Sequence, residues 1–423
     1  MKVLLVGKST KTGGAAIASH RLMEILREKG VDVNMLVQEG SDEDKAVFST
    51  TRSTLKKWIN FLRFVWERLL FLRHEKSKEV RFLFSLANTG ESLIRNRHVR
   101  EADIIHLHWI NAGFLSLNSI RELLDLGKPV VWTFHDMWAI TGGCHHALTC
   151  LRYKQACGEC IYLKKPGKND LSHRLWLKKS KIFKDRNITV VTPSQWLGDC
   201  VVASSLFGQM KVHAIHNPVN QTQFKPMDRE VACRNLGLDP SKRYILFGAA
   251  SVRNLYKGFS YFMEAIKQMS QDPGDLEGVE IVLFGKTGED VSHMFPMETH
   301  CIDYISSMQT MVELYSAAHL YAISSLQDNF PSTIIESMLC GTPVVGFRTG
   351  GIPEMITHFE DGYLAEHKSA TDLAEGMKWI LSYDPHLELS KVVRRAAVRR
   401  FSTERSAEKH VELYKELLNK NQV

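Results

Sequence analysis

Two acids between residues 324 and 356 have a spacing that suits the binding of sugar hydroxyl groups. Asp328 falls in a predicted loop, and Glu336 lies eight positions later, one turn inside the helix that the following residues predict. An ionised carboxylate accepts hydrogen bonds from vicinal hydroxyl groups, such as those of a ribose. We therefore expect Glu336 to bind a ribose and Asp328 to hold sugar hydroxyl groups.

The start of the same predicted helix favours a bound anion. Pro331 suits the first helical position, where an N–H would have no helical partner. The N–H groups that follow, together with the helix dipole, stabilise negative charge. Lys257, with Arg253 four residues before it, supplies the positive charge that a departing pyrophosphate needs. The other residues expected around the anion are Asn329, Ser332, Thr333 and Ile334.

The first residues of the chain raise a separate question about phosphate binding. The stretch "VLLVGKSTKTGGAA" (3–16) contains the Gly-Lys-Ser that ends an ATP-binding P-loop, but Lys2 stands where that motif requires a glycine. The more useful feature is the pair Gly13 and Gly14, which precedes a helical pattern over residues 15–29. A glycine turn between a strand and a helix accommodates an anion. The alternative is a tight turn without a ligand.

Alternating strand and helix patterns must position these residues. Several strand patterns are continuous runs of valine, isoleucine and leucine, as in parallel strands buried on both faces. They predict an α/β fold of two Rossmann-like doubly wound domains, residues 1–218 and 219–400, facing a central cleft. Residues 401–423 contain a last helix, over 403–419, which we expect to pack back toward the first domain. The predicted strands are 2–6, 31–37, 103–109, 129–135, 188–192, 211–215, 244–249, 280–284, 320–324 and 343–347, and the helices of the second half are 259–269, 311–318, 333–340 and 370–381.

Polar residues and glycines gather where the predicted strands end. In open α/β sheets, ligands bind beyond the carboxyl ends of the strands. His135 ends the fourth strand pattern, and we expect it to line the cleft. The other residues at such positions are Gly13, Gly14, His108, Trp109, Asp136, Thr192, Ser194, Asn217, Arg253, Lys257, Lys286, Ser324 and Asp328.

Composition limits the class of protein. The chain has 423 residues, 44% of them hydrophobic and 24% charged, which fits a globular protein of two domains. The N-terminus lacks the pattern of a signal peptide, and no apolar run reaches the ~20 residues that span a bilayer. We therefore expect the chain in the cytoplasm.

One segment carries most of the positive charge. Residues 51–100 contain 12 lysines and arginines against 4 acids, a net charge of +8, so the rest of the chain sums to −1 within a total of +7. Within residues 54–82, basic residues interleave with tryptophan, phenylalanine and leucine. Such a helix suits an anionic membrane surface, here the inner face of the cell membrane; the alternative is a core-packed helix with a solvated basic face. No nucleic-acid-binding motif accompanies the charge, so we expect no nucleic-acid partner.

The acidic stretch resembles that of the retaining family-4 glycosyltransferases. In that family two acids lie eight positions apart, and the second acid is the first residue of the motif E-A-M-x-C-G-T-P-V. This chain has Asp328 where most members have glutamate, and Asn329, Phe330 and Pro331 in place of Gly-Phe-Gly. This variant is similar to the subgroup of colanic-acid, capsule and exopolysaccharide biosynthesis. Further stretches similar to that subgroup are "HLHWINAGFLS" (106–116), "WTFHDMWAITGGCHH" (132–146), "TPSQWL" (192–197) and "HNPVNQTQF" (216–224).

The resemblance implies the GT-B fold, with a nucleotide-diphosphate sugar bound mainly to the second domain and a lipid-linked or polysaccharide-repeat acceptor on the first. It also implies retention of the α-configuration without an essential catalytic metal. Many relatives have their arginine one position earlier, where this chain has Val252. The alternatives are a catalytically silent nucleotide-binding scaffold, or a nucleotide-sugar hydrolase or epimerase. The family pattern implies Gly14 at the phosphates, His135 at the transferring sugar, Arg253 and Lys257 at the pyrophosphate, Asp328 at sugar hydroxyl groups and Glu336 at the ribose.

Two groups of candidate metal ligands remain. The Asp-x-Asp of residues 42–44 lies in a polar loop and is typical of a solvated turn. Four cysteines fall within a short loop after His135, and the last two have zinc-knuckle spacing, which predicts a structural zinc with four thiolates. The alternatives are four free thiols in a loop, a redox-sensitive pair, or nearby histidines as substitute ligands. The cysteines are Cys144, Cys150, Cys157 and Cys160, and the histidines are His145 and His146.

Overall fold

The computed structural model describes the chain except for residues 41–43, 252–254, 272, 287–290, 304, 306, 384–385 and 421–423. The chain divides into two compact units. The first consists of Met1–Pro218 with Glu404–Val423, and the second of Val219–Thr403. Each unit is built around one parallel sheet, so the chain has the α/β architecture of two Rossmann-like domains.

The sheet of the first unit has seven described strands, all parallel, in the order β3-β2-β1-β4-β5-β6-β7. The chain reverses its direction of travel across the sheet after β3, which places helices on both faces. Every residue of β5 and β6 is buried, which explains their continuous apolar sequence. The strands are β1 (Lys2–Ser9), β2 (Asp32–Glu39), β3 (Val47–Ser49), β4 (Ile104–Leu107), β5 (Val130–Thr133), β6 (Ile188–Thr192) and β7 (Lys211–Ala214).

The helices of the first unit begin at residues that cap them. The side chains of Ser53, Ser116, Asp170 and Ser194 each accept a hydrogen bond from an N–H in the first turn of the following helix. Such caps satisfy donors that the helix itself leaves without a partner. The helices are α1 (Gly14–Glu28), α2 (Thr54–Leu72), α3 (Arg97–Glu101), α4 (Leu117–Leu124), α5 (Leu171–Phe183) and α6 (Gln195–Val202).

The second unit repeats the plan with six described strands, all parallel, in the order β10-β9-β8-β11-β12-β13. One apolar cluster runs through its sheet and the helices on it. The strands are β8 (Arg243–Ser251), β9 (Val279–Lys286), β10 (Thr299–Ile302), β11 (Leu320–Ile323), β12 (Val344–Phe347) and β13 (Gly362–Ala365). The helices are α7 (Arg229–Leu236), α8 (Phe259–Met269), α9 (Met308–Ala317), α10 (Ser332–Leu339), α11 (Ala370–Leu381) and α12 (His386–Arg400).

The last helix packs on the first unit. Apart from its first residue, α13 (Thr403–Lys420) belongs to that unit. Leu413 lies in the apolar cluster that contains Val3 of β1. The hydroxyl of Tyr414 lies 2.6 Å from Nδ1 of His106 in β4. The first unit is therefore completed by the C-terminal segment.

The predicted strands are all present, with ends that differ by a few residues. Three further strands, β3, β10 and β13, were not predicted. Each has only three or four residues and lies at the edge of its sheet. Edge strands this short carry no long apolar run, so the pattern that identified the central strands is missing from them.

Candidate functional site

An ion pair in the second unit joins two of the predicted site residues. Nζ of Lys257 lies 2.7 Å from Oδ2 of Asp328, and the two side chains are 23% and 17% exposed. Burial by itself would lower the pKa of Lys257, but the Asp328 carboxylate outweighs burial, and the pKa is raised. Lys257 is therefore a cation at neutral pH, and enough of it is accessible to meet a ligand.

Two glycines allow the backbone segments that carry this pair to approach closely. Gly258 has a φ of +65°, and a Cβ there would lie 2.0 Å from the carbonyl oxygen of Ser324. Gly350 has a φ of +58°, and a Cβ there would lie 1.9 Å from the carbonyl oxygen of Asp328. Any other residue at either position would force these segments apart. The hydroxyl of Ser324 adds a hydrogen bond of 2.8 Å to the carbonyl of Gly258.

The helix that carries Glu336 begins at Ser332. Pro331 is the N-cap of α10, with an extended ψ of 116°, so the expectation that it fills the first helical position is wrong. The N–H of Ile334 donates to the carbonyl of Pro331 at 3.0 Å. It is therefore not available to an anion, although the sequence had placed Ile334 among the anion-binding residues. Ser332 and Thr333 remain the candidate donors, because a helix offers its first N–H groups no acceptor.

Glu336 is buried on α10 and faces two tyrosines of the same unit. The hydroxyl of Tyr315 in α9 donates to Oε2 of Glu336 at 3.2 Å. The hydroxyl of Tyr321 in β11 lies 3.2 Å from the hydroxyl of Thr333, and burial raises the pKa of Tyr321 to about 12. Tyr321 is within electrostatic reach of Glu336 and of the Lys257–Asp328 pair, so the structure brings these predicted site residues into one neighbourhood.

The remaining predicted donor-binding residues have different outcomes. Asn329 is buried next to Asp328, at 9% exposure. Arg253 lies outside the described residues. In the first unit, Gly13 is the N-cap of α1 with a φ of +92°, and Gly14 is the first residue of that helix. A Cβ at either glycine would meet no described atom within 4 Å, so this turn has room for a ligand.

The Gly-Lys-Ser triplet near the N-terminus is part of a strand. β1 extends to Ser9 and therefore includes all three residues. Nζ of Lys8 lies 2.8 Å from Oε1 of Glu39, which is on the neighbouring strand β2. A P-loop lysine must instead reach the phosphates from a glycine-rich loop. The structure therefore agrees with the rejection of an ATP-binding P-loop.

His135 follows β5 and lies beside His108, which follows β4. Nε2 of His135 is 3.1 Å from Nδ1 of His108. Burial lowers the pKa of His135 to about 4, although Asp136 opposes the shift. Burial also lowers the pKa of His108 well below its usual range. Both rings are neutral at pH 7, so they act there as hydrogen-bond donors and acceptors and not as cations.

The sequence pattern placed Asp136 at the end of a predicted strand but gave it no role in binding or catalysis. Its Oδ2 accepts a hydrogen bond from Nε1 of Trp109 at 3.0 Å and lies 2.7 Å from Nδ1 of His145. Its Oδ1 accepts the N–H of Trp138 at 2.8 Å. Burial would raise the pKa of Asp136, but His145 and the hydrogen bonds lower it to about 2. An ionised acid thus lies directly after His135, and its position next to that histidine was the signal available in the sequence.

A serine extends this network. Oγ of Ser85 lies 2.8 Å from Nε2 of His145, so Ser85, His145 and Asp136 have the hydrogen-bonding order of a hydrolase triad. Ser85 is only 4% exposed and His145 only 6%, which leaves no route for a substrate carbonyl to Oγ. We interpret Ser85 and His145 as residues that orient the Asp136 carboxylate.

Two small cavities lie in the first unit, and His108 lines both. Its Nε2 is buried and has no hydrogen-bond partner among the described residues. Burial lowers the pKa of His410, in the wall of the first cavity, to about 4. The first cavity is lined by Ala18, Leu22, His108, Thr133, Val191, Ile215, His216, Asn217, Pro218 and His410. The second is lined by His108, Trp109, Asn111, Trp132, Thr133, Phe134, His135, Asp136, Trp138 and Ala139.

The four predicted cysteine ligands share one neighbourhood. Cys144, Cys157 and Cys160 are buried, Cys150 is half-buried, and none forms a disulfide. Each thiol is within electrostatic reach of the other three. Burial raises the pKa of Cys157 to about 11 and that of Cys160 to about 12. Both sulfurs therefore carry protons at neutral pH when no metal is bound.

Another group of side chains has its possible metal-ligand atoms closer together than the four thiols. Among the described residues, Glu280, Glu298 and His300 have ligand atoms within 4.8 Å of one another, whereas no three of the four thiols come that close. Glu280 already pairs with His300 at 2.8 Å and with Lys242 at 3.7 Å. Of the Asp-x-Asp, only Asp44 is described, and it accepts the N–H of Ala46, as in a turn.

The helix of the basic segment has an unusual distribution of polarity. The buried residues of α2 include Asn60, Glu67 and Arg68, and Nη2 of Arg68 lies 3.0 Å from Oε1 of Glu67. Trp58 is 61% exposed and Trp66 is 55% exposed. The large apolar side chains exposed on this helix and just after it are Leu55, Trp58, Ile59, Phe61, Leu62, Trp66, Leu69, Leu72 and Phe82.

Within the described part of the chain, no helix has both the length and the apolar content needed to cross a bilayer.

Two family models match the chain. Residues 12–223, half of the chain, match the model described as Glycosyltransferase Family 4. Residues 242–383 match the model described as Glycosyl transferases group 1. The matches fall on the first and the second unit, respectively.

Curated relatives include two with different printed activities. A protein named for colanic acid biosynthesis, the glycosyl transferase WcaC of Escherichia coli (strain K12), is 25% identical over 60% of this chain and 62% of its own length. The D-inositol 3-phosphate glycosyltransferase of Pseudarthrobacter chlorophenolicus is 23% identical over 92% of this chain and 87% of its own length. The first three relatives are matched over 62%, 30% and 44% of their lengths, so their similarity to this chain is partial.

Solved structures of similar fold cover nearly the whole chain. Sucrose-phosphate synthase from Thermosynechococcus elongatus has a TM-score of 0.68 at 17% identity, covering 99% of both chains. Anabaena HepE in complex with UDP-glucose has a TM-score of 0.64 at 15% identity, covering 98% of this chain and 100% of that one. At these identities the likeness concerns the fold, and it confirms GT-B.

Proposed function

Because the chain belongs to glycosyltransferase family 4, we propose that it is a retaining glycosyltransferase acting in cell-surface polysaccharide biosynthesis. It moves a sugar from a nucleotide-diphosphate sugar to a lipid-linked or polysaccharide-repeat acceptor. The observation that carries this proposal is the Lys257–Asp328 pair, 2.7 Å long, in the same neighbourhood as the start of α10 and Glu336.

The second unit binds the donor in this proposal. The diphosphate lies against Nζ of Lys257 and the first N–H groups of α10, where a cation and a helix terminus both stabilise negative charge. Glu336, four residues into that helix, accepts the ribose hydroxyl groups. HepE, a structural neighbour, was solved with UDP and UDP-glucose, which supports a nucleotide-diphosphate sugar without fixing the base for this chain.

Lys257 stabilises the leaving diphosphate as charge develops on it. Asp328 keeps the lysine protonated and fixes its position before the donor arrives, so little reorganisation is needed during the reaction. Asp328 has a second carboxylate oxygen for sugar hydroxyl groups, the role that the family pattern implies. The family also implies a front-side displacement assisted by the leaving phosphate, with no essential catalytic metal.

The first unit supplies the groups around the transferring sugar and the acceptor. His135 is neutral at pH 7 and bonds a sugar hydroxyl, while the turn at Gly13 and Gly14 leaves room for the donor phosphates. Asp136, held ionised by its neighbours, is placed to orient an acceptor hydroxyl. These roles explain why the sequence sets polar residues at the ends of β1 and β5.

We further propose that the acceptor is reached from an anionic membrane surface on which α2 lies. A water-facing helix normally exposes polar residues, whereas α2 buries Glu67 and Arg68 and exposes tryptophan and phenylalanine. Large exposed apolar patches mark interaction surfaces. The exposed charged residues of segment 52–82 are five bases and one acid, Arg52, Lys57, Arg73, Lys76, Lys78 and Glu79.

The donor is tested by thermal unfolding with UDP-, GDP-, dTDP- and CMP-linked sugars and with ATP as control. A ligand at about 100 times its Kd stabilises the folded protein by roughly 2.7 kcal/mol. Stabilisation by one nucleotide sugar supports the proposal, whereas stabilisation by ATP alone contradicts it. Release of free sugar without acceptor would instead identify a hydrolase, and binding without any turnover would identify a silent scaffold.

The membrane surface is tested by co-sedimentation with vesicles rich in phosphatidylglycerol. Substituting serine for Trp58, Phe61 and Trp66 together is expected to lower the partition coefficient at least tenfold, because these side chains supply the apolar contact. The matched control substitutes serine for the exposed apolar residues Leu151 and Val202 of the same unit. Equal sedimentation of both variants, or dimerisation of the wild type through α2, would remove the membrane from the proposal.

A further inference from the structure

The loop between β5 and α5 contains a buried charge arrangement that the proposed reaction does not use. We infer that Cys144, Cys150, Cys157 and Cys160 bind one structural zinc ion. Three observations support this inference: the burial of the cysteines, the hydrogen bond donated to the sulfur of Cys157, and a buried lysine near them.

One of the sulfur atoms receives a hydrogen bond from the backbone. The N–H of Gly142 donates to Sγ of Cys157 at 3.0 Å. A thiol is a weak acceptor, whereas a metal-bound thiolate is a strong one, and such N–H donors are the outer partners that metal ligands need. The sulfur of Cys157 therefore lies where a thiolate is stabilised.

Glycines allow this close approach of backbone to sulfur. A Cβ at Gly142 would lie 2.9 Å from Cβ of Cys157 and 2.2 Å from the carbonyl oxygen of Ser172. Between the two knuckle cysteines, Gly158 has a φ of +159° and Glu159 a φ of +46°. Both residues between Cys157 and Cys160 thus have positive φ values, and the two cysteines have the spacing of a C-x₂-C metal knuckle.

Lys179 of α5 is buried in this interior. The residue is 1% exposed, and its Nζ donates to the carbonyls of Trp138 and Thr141 and lies 3.7 Å from the centre of the Trp138 ring. In the part of the chain that the structure describes, no carboxylate lies within ion-pair distance of Nζ. Burial lowers the pKa of Lys179 to about 7, and the groups that oppose this shift are Cys157, Cys144 and Asp136.

A zinc ion with four thiolates would place negative charge beside Lys179 and favour its protonated form. The four S–H protons leave as four Zn–S bonds form, and the centre then carries a net charge of −2, which Lys179 offsets in part. A tetrahedral centre has Zn–S bonds of about 2.3 Å, so binding draws the sulfurs closer together than they lie here. The half-buried Cys150 is the ligand with most freedom to move.

The site has a structural consequence for its surroundings. Cys144 directly precedes His145, whose ring orients Asp136 at 2.7 Å. A metal bound to Cys144 therefore fixes the segment that holds the acid beside His135. Zinc acts here as a brace and takes no part in the reaction.

Metal analysis of the full-length protein tests the inference. The protein is purified under reducing conditions without a metal-affinity step, and its zinc and iron are measured by mass spectrometry. About one zinc per chain is expected, with C144S and C160S falling below about a tenth of that, as a closed four-ligand site requires. Cys233→Ser is the matched control, because Cys233 is equally buried but lies in the second unit.

A second measurement covers variants that fail to fold. Wild-type protein stripped with a chelator and refilled with Co²⁺ is expected to show the visible absorption of tetrahedral cobalt bound to thiolates. Four free thiols without metal, a disulfide among the four cysteines, or iron in place of zinc would each overturn the inference.

Discussion

Replacing Glu336 tests the proposed ribose contact separately from the packing of α10. In Glu336→Gln, the amide oxygen still accepts from Tyr315, so the helix keeps its buried partner. Hydrogen bonds to charged groups contribute about 1.5–3 kcal/mol and neutral ones about 0.5–1.5 kcal/mol, so each ribose bond weakens by about 1 kcal/mol. Two such bonds raise the Kd for the nucleoside diphosphate about 30-fold.

Glu336→Ala is expected to do more. It removes the ribose acceptor altogether and leaves the Tyr315 hydroxyl buried without a partner, at a cost of about 1–3 kcal/mol in the free energy of unfolding. Nucleotide affinity should fall at least 30-fold, and the temperature of unfolding should fall with it. The sequence pattern gives no sign of this buried tyrosine contact.

Calorimetric titration with the nucleoside diphosphate measures these effects without an acceptor. Tyr315→Phe is the control, since it removes the structural donor and leaves the carboxylate, and its Kd should stay within about twofold of the wild type. The reasoning is refuted if Glu336→Gln binds as tightly as the wild type. It is also refuted if the loss in Glu336→Ala merely follows the loss of folded protein.

Three further predictions concern charge, pH and backbone geometry. Lys257→Met should raise the Kd for the nucleoside diphosphate at least tenfold, by removal of a charge-assisted contact, and unchanged affinity would exclude the lysine from the diphosphate site. Burial lowers the pKa of His410 in the folded chain to about 4, so between pH 6.5 and 4 the unfolded chain binds a proton that the folded chain does not. The free energy of unfolding should therefore fall by about 1.4 kcal/mol per pH unit for this group as the pH drops. Denaturant titrations of H410Q should show a shallower fall. Gly350→Ala should weaken nucleotide binding and lower the temperature of unfolding, because a Cβ would lie 1.9 Å from the Asp328 carbonyl oxygen. The control Gly237→Ala, at a φ of +71° in open space, should affect stability only. Equal effects of both variants on nucleotide binding would contradict the role of the close approach.

Much of the fold was predictable because parallel strands buried on both faces leave a strong pattern. The continuous apolar runs of β5 and β6 are examples. The resemblance to family 4 is confirmed over half of the chain by the family model. The sequence also placed His108 and His135 at strand ends, and the two rings meet because β4 and β5 are neighbours in the sheet.

The pairings within the candidate site were less predictable. Lys257 and Asp328 are 71 positions apart, and their contact depends on the backbone approach that Gly258 and Gly350 permit. The one-residue shift at Pro331 changes which N–H groups face a ligand, and sequence patterns do not resolve helix starts that finely.

The orientation of α2 shows another limit of sequence patterns. A helical wheel identifies an apolar face and a polar face, but the direction in which each points depends on buried partners. Here Leu86 and Ala87 donate backbone N–H groups to Glu67, which draws the polar face inward. Those partners lie about twenty residues away and carry no periodic pattern of their own.

The return of α13 to the first unit sets the order in which the chain can be finished during synthesis. The contact between His106 and Tyr414 joins residues 308 positions apart, and the whole of Val219–Thr403 is translated between them. At roughly 5–20 residues per second, those residues take about 10–40 s to emerge. Throughout that interval the nascent first unit displays the apolar surface that Leu413 later covers. The ribosome therefore releases a complete second unit before the first has its last helix, and a chain truncated ahead of residue 404 leaves the earlier unit, and not the later one, unfinished.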